Sequence, residues 1–93
     1  MEVLFKNGDV YDNPVDFVRI PASHGPNVNY LVCYGTVNWR GNVQTAIYVL
    51  MEYNGIPNTK VPPHITTHVN EDGSTDLNLV LEKINLLKQR YEL

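Results

Sequence analysis

The chain has one cysteine, Cys33, in 93 residues. An intrachain disulfide is therefore excluded, and a reducing compartment is the natural setting. A lone thiol of this kind reads first as a small apolar residue in a strand. Long apolar runs are also missing. The longest, Ala46 to Met51, has six residues, against the ~20 that a membrane-spanning helix needs. Met1 to Phe5 runs straight into Lys6-Asn7-Gly8-Asp9, a turn, so no leader with an apolar core is expected and a cytoplasmic location is. Positive charge is scarce and scattered over Lys6, Arg19, Arg40, Lys60, Lys83, Lys88 and Arg90. Ten carboxylates outweigh these seven cations, giving a formal charge of −3. The basic stripe of a nucleic-acid binder is absent, so neither nucleic acid nor membrane is an expected partner. The carboxylates form no long run either, which argues against DNA mimicry. Alanine (two) and arginine (three) are rare beside eleven asparagines and six tyrosines. Such usage points to an AT-rich genome, as in a low-GC bacterium or its phages, and hence to a viral protein as one origin.

Chemical signatures are equally thin. The sequence contains no G-x-S-x-G, G-x-G-x-x-G, Walker A, C-x-x-C or EF-hand pattern. Asn70-Glu71-Asp72-Gly73 supplies oxygen ligands without the twelve-residue calcium-loop spacing. His64 and His68 would lie on one face of a strand at about 13 Å, too far to share a metal. Pro62-Pro63 and Thr66-Thr67 favour extension there. Ser23-His24 is adjacent in sequence, but adjacency does not orient a nucleophile against its base. No cofactor and no metal are expected.

What is present describes a single domain over 1–93. Hydrophobic residues make up 43% and charged residues 18%, a globular balance. Residues 2–11 read as a hairpin around Asn7-Gly8. Residues 14–20 admit two readings, a short helix capped by Asn13 with Pro14 first, or a strand of Val15, Phe17, Val18 and Ile20; the capping chemistry tips the balance to helix or irregular turn. Residues 21–29 and 54–63 are loops by their Pro, Gly and Asn content. Between them, 30–39 and 43–53 form a long hairpin. A type II′ turn at Gly41-Asn42 would set Arg40 opposite Val43, Gly35 opposite Tyr48 and Tyr30 opposite Tyr53. Residues 64–69 read as a further strand, and 70–74 as a turn. From 74–76 onward, Leu77, Val80, Leu81, Ile84, Leu87 and Tyr91 mark one face of a helix. The expected fold class is α+β: an antiparallel sheet of about four or five strands with one C-terminal helix packed on one face.

This composition makes both faces of the long hairpin apolar, and one helix covers one face. Leu79 and Leu86 also fall off the helix stripe. Uncovered apolar surface of this kind points to self-association as a homodimer or higher oligomer. Trp39 and Arg40, at the hairpin turn, are of the residue types enriched at binding hot spots. Together with Leu79 and Leu86 they form the expected interface. At the other end, His24, Tyr30, Tyr53, Lys60 and His64 are brought near one another by the two loops. That set suits a small anionic, nucleotide-like ligand. The expected function is a small non-enzymatic binding protein that inhibits a partner protein or sequesters such a ligand. Two alternatives are a small enzyme with His24, His64 or His68 as general acid or base, and a structural subunit of a larger assembly.

Overall fold

A computed structural model describes residues 10–23 and 25–93. His24 and most of the expected hairpin over 2–11 lie outside the described residues. The elements are β1 (Asp16–Pro21), β2 (Val28–Trp39), β3 (Asn42–Tyr53), β4 (Ile56–Asn58) and α1 (Asp76–Arg90). The strands form one antiparallel sheet in the order β1-β2-β3-β4. With its C-terminal helix the architecture is α+β, as the sequence implied.

The β2–β3 hairpin is the frame. Its turn is Arg40-Gly41, both at positive φ (53° and 84°), and not Gly41-Asn42. Two such residues make a type I′ turn, whose twist matches that of the strands it joins. The Asn38 side chain supports it by accepting a bond from the Gly41 N–H at 2.9 Å. Trp39 therefore pairs with Asn42, Gly35 with Ala46 and Tyr30 with Met51. Each β2 residue meets a partner two places earlier than the sequence suggested. A slip of two leaves every side chain on its own face, because strand side chains alternate with a period of two. A second turn, Asn54-Gly55, repeats the geometry (53° and 81°) and pairs Tyr53 with Ile56. It makes the short strand β4 out of what reads as a loop.

Residues 16–21 form a strand, which corrects the helical reading of 14–20. Phe17, Val18 and Ile20 favour extension, and β2 offers a full row of partners from Asn29 to Tyr34. Upstream, Tyr11 pairs with Val37 while Asp16 pairs with Tyr34. Residues 12–15 thus stand opposite only 35 and 36, and the extra length bulges. The bulge seats Pro14, fully buried, directly on Gly35. A Cβ on Gly35 would lie 3.0 Å from the Pro14 Cα. Pro14, and not Tyr48, covers the strand glycine.

The helix is capped by Thr75, whose Oγ1 accepts from the Asn78 N–H at 3.1 Å. Asp76 at its start and Lys88 and Arg90 at its end suit the dipole. Its buried face runs through Asp76, Val80 and Leu87, with Leu79, Ile84 and Tyr91 packed alongside. Leu77 and Leu81 are exposed, so the face is rotated from the one the leucine spacing suggests. Leu79 is partly buried against this core; Leu86 is exposed. The helix covers Ile20, Tyr30, Val32 and Met51. On the other face of the sheet, Leu31, Cys33 and Leu50 form a second, smaller core, flanked by Tyr11, Phe17 and Tyr48.

Residues 64–68 pair with no strand, which corrects the expected strand over 64–69; Val69 alone bridges to Thr75. Their backbone serves the helix start and Tyr30 instead: the Leu77 N–H donates to the Thr66 carbonyl (3.1 Å), and the Thr66 N–H to the Tyr30 hydroxyl (3.3 Å). Among the described residues no helix is long and apolar enough to cross a membrane.

Candidate functional site

The two loops do meet at one end of the sheet, where the Asn54 N–H donates to the Asn27 carbonyl at 2.9 Å. The described side chains expected to gather there are placed differently from one another. Tyr30 is wholly buried. Its hydroxyl donates to Asp76 Oδ2 at 2.7 Å and lies 3.3 Å from the His64 carbonyl. It is a core tyrosine with no ring face to offer a ligand. Tyr53, Lys60 and His64 are exposed, and no hydrogen bond, ion pair or ring contact joins their side chains. His68 is exposed as well. His24 lies outside the described residues.

The centre of that end is Asp76, which the sequence presented only as a helix-start residue. Its side chain points inward and is 1% exposed. Oδ2 accepts from the Ser23 N–H (2.9 Å), the Ser23 hydroxyl (2.9 Å), the Tyr30 hydroxyl (2.7 Å) and the Thr66 hydroxyl (3.1 Å). Oδ1 accepts from the Asn70 amide at 3.4 Å. Burial alone would raise the carboxyl pKa. The donors, led by the Ser23 N–H and the Tyr30 hydroxyl, overcome that effect and hold it at about 2. A carboxylate so encircled is a poor base and a poor nucleophile, because its lone pairs are already engaged. An open cleft of about 440 Å³ runs past it, edged by Ser23, Asn70, Glu71 and Asp72.

Two other buried groups are equally committed. Glu52, 1% exposed, is held by a two-pronged Arg19 guanidinium (2.8 and 2.9 Å) and by the Asn29 amide (3.0 Å). The Arg19 bonds, more than anything else, keep its carboxyl below the usual range. Cys33 is fully buried, and desolvation pushes its thiol up to about 12 despite a bond with Tyr48. It is a neutral thiol at physiological pH and not a nucleophile. Among the described residues no three His, Cys, Asp or Glu side chains converge as metal ligands would.

The opposite end has a different character. Residues 38–45, the hairpin tip, are all exposed. Trp39 is 62% exposed and Val43 59%. Trp39, Val37, Asn42, Gln44 and Ala46 line a shallow apolar cleft of about 280 Å³. Arg40 occupies a left-handed conformation that Asn or Gly adopts more cheaply.

The sheet's two flanks differ in the same way. Outside β3, β4 pairs only with Met51 to Tyr53. Asn42 to Leu50 has no outer neighbour among the described residues. Antiparallel pairing alternates, and the pairs that close the two turns fix its phase. Val43, Thr45, Ile47 and Val49 therefore turn their N–H and C=O groups outward. Nothing guards them: from Asn42 to Met51 there is no charge, proline or glycine. The outer flank of β1, by contrast, has the Pro14 bulge before it and Pro21 at its end, features that interrupt strand addition. The sequence signal for this surface was available: from Ile20 to Met51 the only Lys, Arg, Asp or Glu is Arg40.

No protein-family model, no curated protein and no solved structure matches the chain.

Proposed function

We propose that this protein is a small protein-binding module that takes up an extended segment along the outer flank of β3. The observation that carries this reading is the nine-residue stretch Asn42–Leu50, unpaired on its outer side among the described residues and free of charge and proline. Strand addition of this kind draws its affinity from main-chain hydrogen bonds and its selectivity from pockets for alternate side chains. The cleft beside Trp39 supplies such a pocket. The engagement of Asp76, Glu52 and Cys33 in internal contacts supports binding over catalysis as the role of the described residues. A small-anion site at the loop end loses one of its two aromatics with the burial of Tyr30, leaving Tyr53.

The test is residue-resolved amide exchange on dilute protein, with and without a synthetic ten-residue peptide of alternating valine and threonine. We expect the amides of Val43, Thr45, Ile47 and Val49 to exchange freely alone and to slow at least tenfold with peptide. Protection of those four amides in the free monomer, or peptide-induced changes confined to residues 21–27 and 70–76, would overturn the reading.

A further inference from the structure

We infer that the segment received by β3 is β3 of a second copy, paired antiparallel about a two-fold axis through Ala46. The inference rests on the strand-addition reading above and names its partner. Three observations support it.

The first is length. The open stretch is bounded by the Arg40-Gly41 turn at one end and by β4, which begins its pairing at Met51, at the other. Its midpoint is Ala46. Pairing Ala46 with its own copy matches Val43 with Val49 and Thr45 with Ile47 in both directions. All four outward-facing residues of each strand then find partners. Moving the centre to Thr45 or Ile47 runs one end into a turn or into the position β4 already fills.

The second is charge. The protein carries −3, so two copies repel each other at long range. Asn42 to Met51 carries no charge, so like charges never face one another along the contact. The third is side-chain chemistry. The helix-side face of the new ladder is built of Val–Val and Thr–Ile pairs, β-branched combinations that stabilise neighbouring strands. Val43, which one copy leaves 59% exposed, gains a Val49 neighbour.

Sedimentation of the intact protein from about 1 to about 500 μM tests the inference, a range set by the weak end of protein interfaces. We expect a reversible monomer–dimer equilibrium. Thr45 is exposed and its N–H points outward, a place where a flanking strand tolerates proline. Thr45→Pro and Thr45→Lys are each expected to weaken dimerisation at least tenfold while leaving the far-UV spectrum and melting curve near those of the parent. Ala46→Cys tests the register. In the proposed pair the two Cα atoms stand about 4.5 Å apart, within disulfide reach, so mild oxidation should yield a covalent dimer. Gln44→Cys, which faces Tyr48 of the other copy, should not. Buried Cys33 adds no background in the folded protein.

A protein monomeric at every concentration refutes the inference. So does a dimer indifferent to both Thr45 variants, or one that cross-links through position 44 and not 46. A monomer whose β3 amides are still protected by the valine–threonine peptide leaves the strand-addition reading standing and removes only the second copy. A monomer that also ignores the peptide removes both.

Discussion

The two ends of the sheet solve opposite problems. At the loop end, five donors from Ser23, Tyr30, Thr66 and Asn70 converge on one buried carboxylate, and a neighbouring carboxylate is clamped by Arg19. At the hairpin end, eight consecutive residues are exposed, and no described strand pairs with the outer side of Asn42 to Leu50. At the loop end the buried polar groups are engaged with one another, whereas at the tip Asn38, Arg40, Asn42 and Gln44 are exposed and β3 turns alternate main-chain groups outward. Residue type alone is therefore a poor guide here: Tyr30, Glu52 and Asp76 look reactive but are engaged inside the fold, whereas the bland run of Val, Thr, Ala and Ile in β3 carries the proposed binding edge.

That contrast is sharpest at Asp76. Asp76→Ala strands the Ser23, Tyr30 and Thr66 donors in the interior. It should cost about 3 kcal/mol in chemical denaturation, a large part of a small domain's stability. The same node sets the acid response. Its carboxyl sits at about 2, below the ordinary 3.8. Its contribution, about 2 kcal/mol, is complete above pH ~4 and fades as pH falls through 2. Glu52, also lowered, acts in the same direction. Melting temperature followed from pH 7 to pH 2 should decline below about pH 4; a flat profile would separate Asp76 from stability.

Gly35→Ala probes the middle of the molecule. The added methyl meets the Pro14 backbone and should cost about 1–2 kcal/mol by urea titration. At the tip the signs change. Arg40→Asn relieves the left-handed arginine and should stabilise by about 0.5 kcal/mol in the same assay. Trp39→Ala removes a largely exposed side chain and should move stability by no more than about 0.5 kcal/mol. A loss above 2 kcal/mol at Trp39 would mean that the tip is packed like the body, and the contrast would fail.

Local rules carried much of the fold. The period of Leu77 to Tyr91 located α1, and the β-branched and aromatic content of 30–53 located the hairpin with its faces correctly divided. Errors arose where two local signals competed and tertiary contacts decided. Gly41 satisfies both a II′ turn with Asn42 and a I′ turn with Arg40, and the strands' twist selects the second. Asn13-Pro14 looks like a helix start, yet Pro14 is needed over Gly35. The leucine spacing puts Leu77 on the buried stripe and Leu79 off it, and inward-pointing Asp76 reverses the two. The Asp76 cluster was not legible because its partners lie up to 53 residues away in sequence. The open flank of β3 depended on β4 being only three residues long, which no periodicity encodes.

The asymmetry between the sheet's flanks also limits growth. Strand-by-strand polymerisation into fibres needs two sticky sides, one to add to the chain and one to be added to. Here the Pro14 bulge and Pro21 interrupt one side. With β3 occupied, β1 is the remaining long flank among the described residues, and its two prolines shorten the run open to a further strand.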